Sequence, residues 1–218
     1  MHQLKSEKFF VEALKYEEEN WPAELRRIRN LSPDTFRRID SREFFGAYVF
    51  VVYGAGMNWE VNEKQHPRLK KAFMDCDIKK VSEMEPLAPV FAVNRNDQKA
   101  KSVVKGAEMI SEEGFENFKR RVSEQGPDAL SRLPGLGPIT KDHLARNIGL
   151  ASVSKNDIWI QRLVSLFEAK THTELADHLA NRFKEKPGTV DVILWRFCRD
   201  GAWHTLGFSS LESFVSSL

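Results

Sequence analysis

Two glycines and two prolines fall within the five residues Pro134-Gly135-Leu136-Gly137-Pro138, and no other stretch restricts the fold of this chain so tightly. The apolar run before it closes at Leu133, where Pro134 fixes the exit from a first helix. Gly135 and Gly137 tolerate positive φ and leave backbone amides uncovered. Pro138 suits the first turn of a second helix, where its missing N–H costs nothing. The stretch therefore predicts helix, tight hairpin, helix, with free amides at a helix N-terminus placed to hold an anionic oxygen.

Pro and Gly punctuate many helix pairs, so a plain helical connection is the simplest reading. Here, however, an apolar residue, Pro-Gly, an apolar residue, Gly, a short gap and Thr140 follow in one run. That order resembles the helix-hairpin-helix motif, whose amides grip a DNA phosphate without reading base sequence. The resemblance implies DNA contacts from Pro134, Gly135, Leu136, Gly137, Thr140 and Lys141. It also implies that the backbone carbonyls of Ser131, Leu133 and Leu136 hold a monovalent cation, Na+ or K+, that strengthens the phosphate grip.

Twenty residues beyond Gly137, Asp157 opens the apolar segment Ile158-Trp159-Ile160. An aspartate there is by default a helix N-cap. A hairpin followed at this distance by such an aspartate is similar to the helix-hairpin-helix DNA glycosylase superfamily, in which that residue is catalytic. The two readings are compatible, because a helix-starting carboxylate can also face an active site. The resemblance runs from about Phe44 to Leu166. It implies an all-α fold of two helical lobes with a DNA-binding cleft between them. A central lobe of about 44–147 would end in the helix-hairpin-helix at 130–147, and 1–43 with 148–218 would form the second lobe of a single two-lobed unit.

Helical periodicity dominates and no run of alternating strand character appears. Helices are expected over Ser6–Glu19, Pro22–Arg29, Ser41–Tyr53, Trp59–Phe73, Asp77–Met84, Asn96–Ser111, Phe115–Glu124 and Pro127–Arg132. After Asp157 they are expected over Ile158–Glu168, Thr173–Phe183 and Val190 to about Trp203, with a last one from about Ser210. In Ser41–Tyr53 the run Val49-Phe50-Val51-Val52 reads as a buried helix rather than a strand, given the Ser41-Arg42-Glu43 start.

The 218 residues suffice for a substantial core, and 41% hydrophobic with 29% charged residues describes an ordinary globular protein. A net charge of +2 does not itself indicate nucleic acid but permits a locally basic face. Cys76 and Cys198 cannot build a disulfide framework or the four-cysteine iron–sulfur cluster found in some of the superfamily. No apolar run approaches membrane-span length, and the first residues lack a signal-peptide core. The expectation is a monomeric protein of the cytoplasm, nucleoid or nucleus, not secreted, whose partner is double-stranded DNA.

The chemistry implied is cleavage of the bond between a base and deoxyribose C1′, with Asp157 stabilising the developing oxocarbenium ion and activating water. The base must leave the stack first. Met57 or Asn58, in the small-residue loop Gly54–Asn58, would fill the void, although this loop also reads as a tight helix connection. Tyr53 and Trp159 are the candidate walls of a base pocket, against the alternative that both are core. Relatives that also nick the backbone carry a lysine two positions after the second hairpin glycine, and here that position is Ile139. Lys141 lies about 200° further round the helix at roughly 100° per residue. Base excision by water without β-elimination is therefore expected. The alternatives are a bifunctional glycosylase with a displaced lysine, or a non-catalytic DNA-binding protein that uses Asp157 only as a cap. The identity of the base does not follow from the sequence.

Overall fold

The computed structural model describes every residue, Met1–Leu218, and contains helices and turns without strands. In chain order the helices are α1 Gln3–Asn20, α2 Pro22–Asn30, α3 Pro33–Arg38, α4 Ser41–Gly54, α5 Trp59–Ala72, α6 Ile78–Ser82 and α7 Ala88–Phe91. They continue as α8 Asp97–Glu113, α9 Phe115–Gln125, α10 Pro138–Asn147, α11 Ile158–Leu166, α12 His172–Phe183, α13 Pro187–Arg199 and α14 Leu211–Ser217. Tighter 3-10 turns occupy Met74–Cys76, Pro127–Arg132 and Ala202–Leu206. Capping explains most helix starts. Side chains of Ser32, Asp40, Asn58, Asp77, Asn96, Asp157, Thr171 and Ser210 each accept first-turn amides of the helix they precede.

Two compact units form, one from 1–31 with 152–218 and the other from 32–151. The boundaries differ from those expected at 43/44 and 147/148. Helix α3 packs with the central unit because Gly149, at φ +75°, brings its Cα against the backbone of Ser32, with no room there for a side chain. Helix α3 itself was not foreseen, nor was α7. Pro127–Arg132, expected as α-helix, is a 3-10 turn. The helix expected over Val190–Trp203 instead runs Pro187–Arg199, broken by Gly201 in the left-handed region.

The central unit is built round α4, which is apolar on nearly every side: Phe44, Phe45, Tyr48, Val49, Val51, Val52 and Tyr53 are all buried. A helix apolar all round must be surrounded, and α5, α6, α8 and α10 pack against it. The closest approach is to α8 at Gly106, where a Cβ would lie 2.5 Å from Tyr48 Oη. That hydroxyl lies 2.6 Å from Pro134 O and 3.1 Å from Ser102 O, so it reaches from the core helix to the hairpin.

The terminal unit packs α1 against α13 and α12, with Phe9 at its centre. The Phe9 ring meets Phe197, Phe214 and Phe167 at 5.1, 5.4 and 5.5 Å between centroids. Beside this core lies a buried charge cluster. Arg196 stacks 4.0 Å over Trp21 and pairs with Glu24. Glu17 is wholly buried and neither of its carboxylate oxygens finds a hydrogen bond. Its burial and the nearby Glu24 push its pKa up to about 8, against the opposing pull of Arg196.

Two predictions follow from this packing. Gly106→Ala should cost about 1–3 kcal/mol of stability in urea unfolding, the usual penalty for overpacking. Adding Tyr48→Phe should recover only part of that loss, because the new Cβ would still lie 2.7 Å from a ring carbon. Glu17 binds a proton more tightly folded than unfolded, so its contribution is lost as pH rises from the ordinary carboxylate range to about 8. Glu17→Gln removes that loss, and its stability advantage over wild type should grow across the same interval in denaturation curves taken at several pH values.

Candidate functional site

Asp157 is an N-cap in the structure. Its Oδ1 accepts the amides of Trp159 and Ile160 at 3.0 and 3.1 Å. Its Oδ2 lies 2.9 Å from Lys155 Nζ. The Asp157 side chain keeps 18% of its surface exposed, whereas Lys155 keeps 9%. The carboxylate is thus held by three donors and still reachable.

The loop that delivers Asp157 is held by one face of α13. Gly188 N donates to Ser152 Oγ at 3.0 Å, and Lys155 N donates to the fully buried Asp191 at 3.0 Å. Lys155 Nζ stands 4.7 Å over the Trp195 ring. Residues 188, 191, 195 and 198 follow helical spacing along that face. The last of them, Cys198, is buried, and burial together with the nearby Asp157 carboxylate pushes its thiol well above the usual range. Trp159 is half-buried, 6.2 Å from Trp203, with the Arg162 guanidinium 5.2 Å over its ring. Its neighbour Ile158 is 70% exposed, an apolar side chain beside the acid that the periodicity did not single out.

The hairpin departs from expectation at one glycine. Gly135 has φ +81°, a conformation that favours glycine, and a Cβ there would press on Val52 at 3.1 Å and Ser102 at 3.3 Å. Gly137 instead is extended, with φ −105°, because it serves as the N-cap of α10 rather than as a left-handed turn residue. Nor is its amide uncovered: Gly137 N donates to Thr140 Oγ1 at 2.7 Å. The amides of Gly135, Ile139 and Thr140 have no acceptor within the protein. These, rather than that of Gly137, are the ones open to an anion. The Leu133 carbonyl accepts Leu136 N at 3.2 Å and keeps a lone pair, while those of Ser131 and Leu136 accept nothing. Leu133 and Leu136 bury their side chains beneath the turn.

Several other expected residues are committed elsewhere. Lys141 is turned toward the preceding 3-10 turn and pairs with Asp128. Tyr53 is fully buried, edge-on to Phe73, with its hydroxyl unpartnered; it belongs to the core of the central unit and offers no face to a base. Asn58 spends its side-chain oxygen capping α5, at 2.8 Å from Glu60 N. Met57 is half-buried, its sulfur 2.8 Å from Gln65 Nε2. Lys99, on α8, donates to the carbonyls of Tyr53 and Ala55 at 2.8 and 2.6 Å. It therefore closes the C-terminus of α4 and ties down the loop Gly54–Asn58. Burial holds its amine below the usual range.

No protein-family model matches the sequence, and no curated protein is detectably similar to it. Solved structures do match. The 8-oxoguanine DNA glycosylase of Thermotoga maritima superposes with a TM-score of 0.65 at 20% identity, over 88% of this chain and 96% of its own. The 8-oxoguanine glycosylase/lyase of Methanocaldococcus jannaschii, crystallised with a 15mer DNA containing 8-oxoguanine, gives 0.63 at 17% identity over 89% and 98%. The chain thus shares the all-helical fold of these two structures.

Lys99→Met removes the only side chain closing the end of α4 at those two carbonyls. Hydrogen exchange at the amides of residues 54–58 should accelerate about tenfold, while the α8 amides stay protected. Unchanged exchange at that loop would show that it does not depend on Lys99.

Proposed function

We propose that this chain is a DNA N-glycosylase that hydrolyses the glycosidic bond of a damaged or modified base, with Asp157 as its catalytic carboxylate. The observation that carries the reading is the Asp157 side chain itself. It is fixed by two amides and an ammonium yet keeps 18% of its surface open, on a fold shared with two DNA glycosylases.

In the proposed reaction the C1′–N bond breaks and the base leaves with the bonding pair, to be protonated from solvent. The Asp157 carboxylate stabilises the positive charge developing on C1′ and O4′. It then accepts a proton from the water that attacks C1′, leaving an abasic sugar. The open amides of Gly135, Ile139 and Thr140 hold a backbone phosphate of double-stranded DNA. The carbonyls of Ser131, Leu133 and Leu136 would hold Na+ or K+, which adds positive charge beneath that phosphate. Trp159 and the exposed Ile158 are the apolar surfaces nearest the acid, and Met57 is the side chain of the 54–58 loop not spent on a cap. The protein works as a monomer inside the cell.

Ile139 lies where a lyase would need an amine, and Lys141 is engaged by Asp128. The product is therefore an abasic site rather than a nicked strand. Both similar structures carry 8-oxoguanine in their names, so an oxidised purine is the first substrate class to examine.

The test is incubation with duplexes bearing single lesions, 8-oxoguanine first, followed by alkaline cleavage of abasic sites. Asp157→Asn keeps the helix cap, because asparagine caps a helix about as well as aspartate. It should retain DNA affinity and lose at least about 10²-fold in excision rate. Full activity in Asp157→Asn would remove the acid from the mechanism. A wild-type protein that binds DNA but excises no base would identify a non-catalytic DNA-binding protein.

A further inference from the structure

In the proposed reaction Lys155 figures only as a partner of Asp157, and its support on α13 has no role. The amine is nearly as buried as the core, yet its only carboxylate partner is Asp157, at 2.9 Å. Three contacts fix it from the same helix. Its backbone amide is bonded to buried Asp191, its ammonium lies over Trp195, and the loop start is held by Gly188 through Ser152. A lysine immobilised this way has given up most of its rotamer freedom, a cost that a solvated surface charge never incurs.

From this geometry we infer that Lys155 is a positioning residue for the proposed glycosylase reaction. It holds Asp157 Oδ2 in the orientation that faces the sugar, with Asp191 and Trp195 as its fixed seat. The inference rests on the assignment of Asp157 as the catalytic carboxylate. Without a cation at Oδ2, the carboxylate pivots about the two amides that hold Oδ1. Other groups face it too. Cys198 and Asp191 lie on α13, and Arg162 lies on α11, where it is paired at 2.7 Å with Glu212 of α14. Arg196 and Arg199 flank the Trp195 ring at 5.0 and 5.1 Å. Of the cations among these, Lys155 is the one in direct contact with the acid.

Single-turnover excision and DNA affinity measured for Lys155→Met and Lys155→Arg test this directly. Lys155→Met should keep the wild-type Kd for lesion DNA while the excision rate falls by about 10²-fold, the scale of a small misplacement of a reacting group. Lys155→Arg restores a cation able to stack on Trp195, and should recover most of the rate. The inference is overturned if Lys155→Met is fully active. It is overturned equally if Lys155→Arg recovers none of the lost rate, which is the behaviour of a purely structural contact. Borohydride trapping of a DNA adduct on Lys155 would overturn it as well, by making the amine a nucleophile. Should wild type excise no base at all, the glycosylase reading fails and this inference with it. Activity lost in Asp157→Asn but kept in Lys155→Met defeats the positioning role alone.

Discussion

The Tyr48 hydroxyl is the point at which the core of the central unit takes hold of the hairpin. It has one proton and two carbonyls within reach, and the nearer, Pro134 O at 2.6 Å, lies in the turn itself. The bond can form only because α8 carries glycine at 106, where any side chain would occupy the space of the Tyr48 ring. The same logic recurs one residue further along the turn. Gly135 fits between Val52 and Ser102, one from α4 and the other from α8, where a methyl group would be crowded. A hairpin made of Pro and Gly has few side chains to anchor it, so its position is set by the helices it lies on. Since a bond to a buried hydroxyl is costly to leave unmade, the turn is held near one geometry.

A second economy appears at the helix C-termini, where lysine does work often done by glycine. Lys99 reaches the last carbonyls of α4, and Lys186 donates to Arg29 O and Leu31 O at the end of α2, both at 2.7 Å. An ammonium has three donors and complements the negative end of the helix dipole, so one side chain can satisfy two orphan carbonyls. Each of these lysines belongs to a different helix or turn from the one it closes. The contacts therefore fix tertiary geometry rather than merely ending a helix.

Much of this fold was legible in the sequence, because the signals concerned are local. Apolar periodicity located the long helices. Ser41 and Glu43 marked the start of α4, although its cap proved to be Asp40. Pro138 and Asp157 fixed the starts of α10 and α11. The readings that missed depended on what lies opposite a residue. Gly137 carries the same local freedom as Gly135, yet only Gly135 has helices pressed against it and a positive φ. Tyr53 adjoins the loop in sequence but points along the core face of α4, a direction set by where α5 and α8 pack. Lys99 on a basic helix is indistinguishable from its solvated neighbours Lys101 and Lys105 until the end of α4 is placed beside it. Short elements such as α3 and α7 are too brief to show periodicity, and the 3-10 character of Pro127–Arg132 has no sequence signature distinct from an α-helix.

The helix cap made by Asp157 and the catalytic role proposed for it are chemically compatible. An ionised carboxylate offers about four acceptor sites on its two oxygens. The amides of Trp159 and Ile160 occupy Oδ1, and Lys155 takes one direction on Oδ2, which leaves an acceptor site on Oδ2. A cap alone would need only the first oxygen, and solvent would serve the second at no cost in ordered side chains. The structure instead commits a buried lysine, a buried aspartate and a tryptophan face to the oxygen that capping does not use. Helix capping explains where Asp157 sits. It does not explain why its free oxygen is held so firmly, and that second restraint is what the proposed positioning role of Lys155 accounts for.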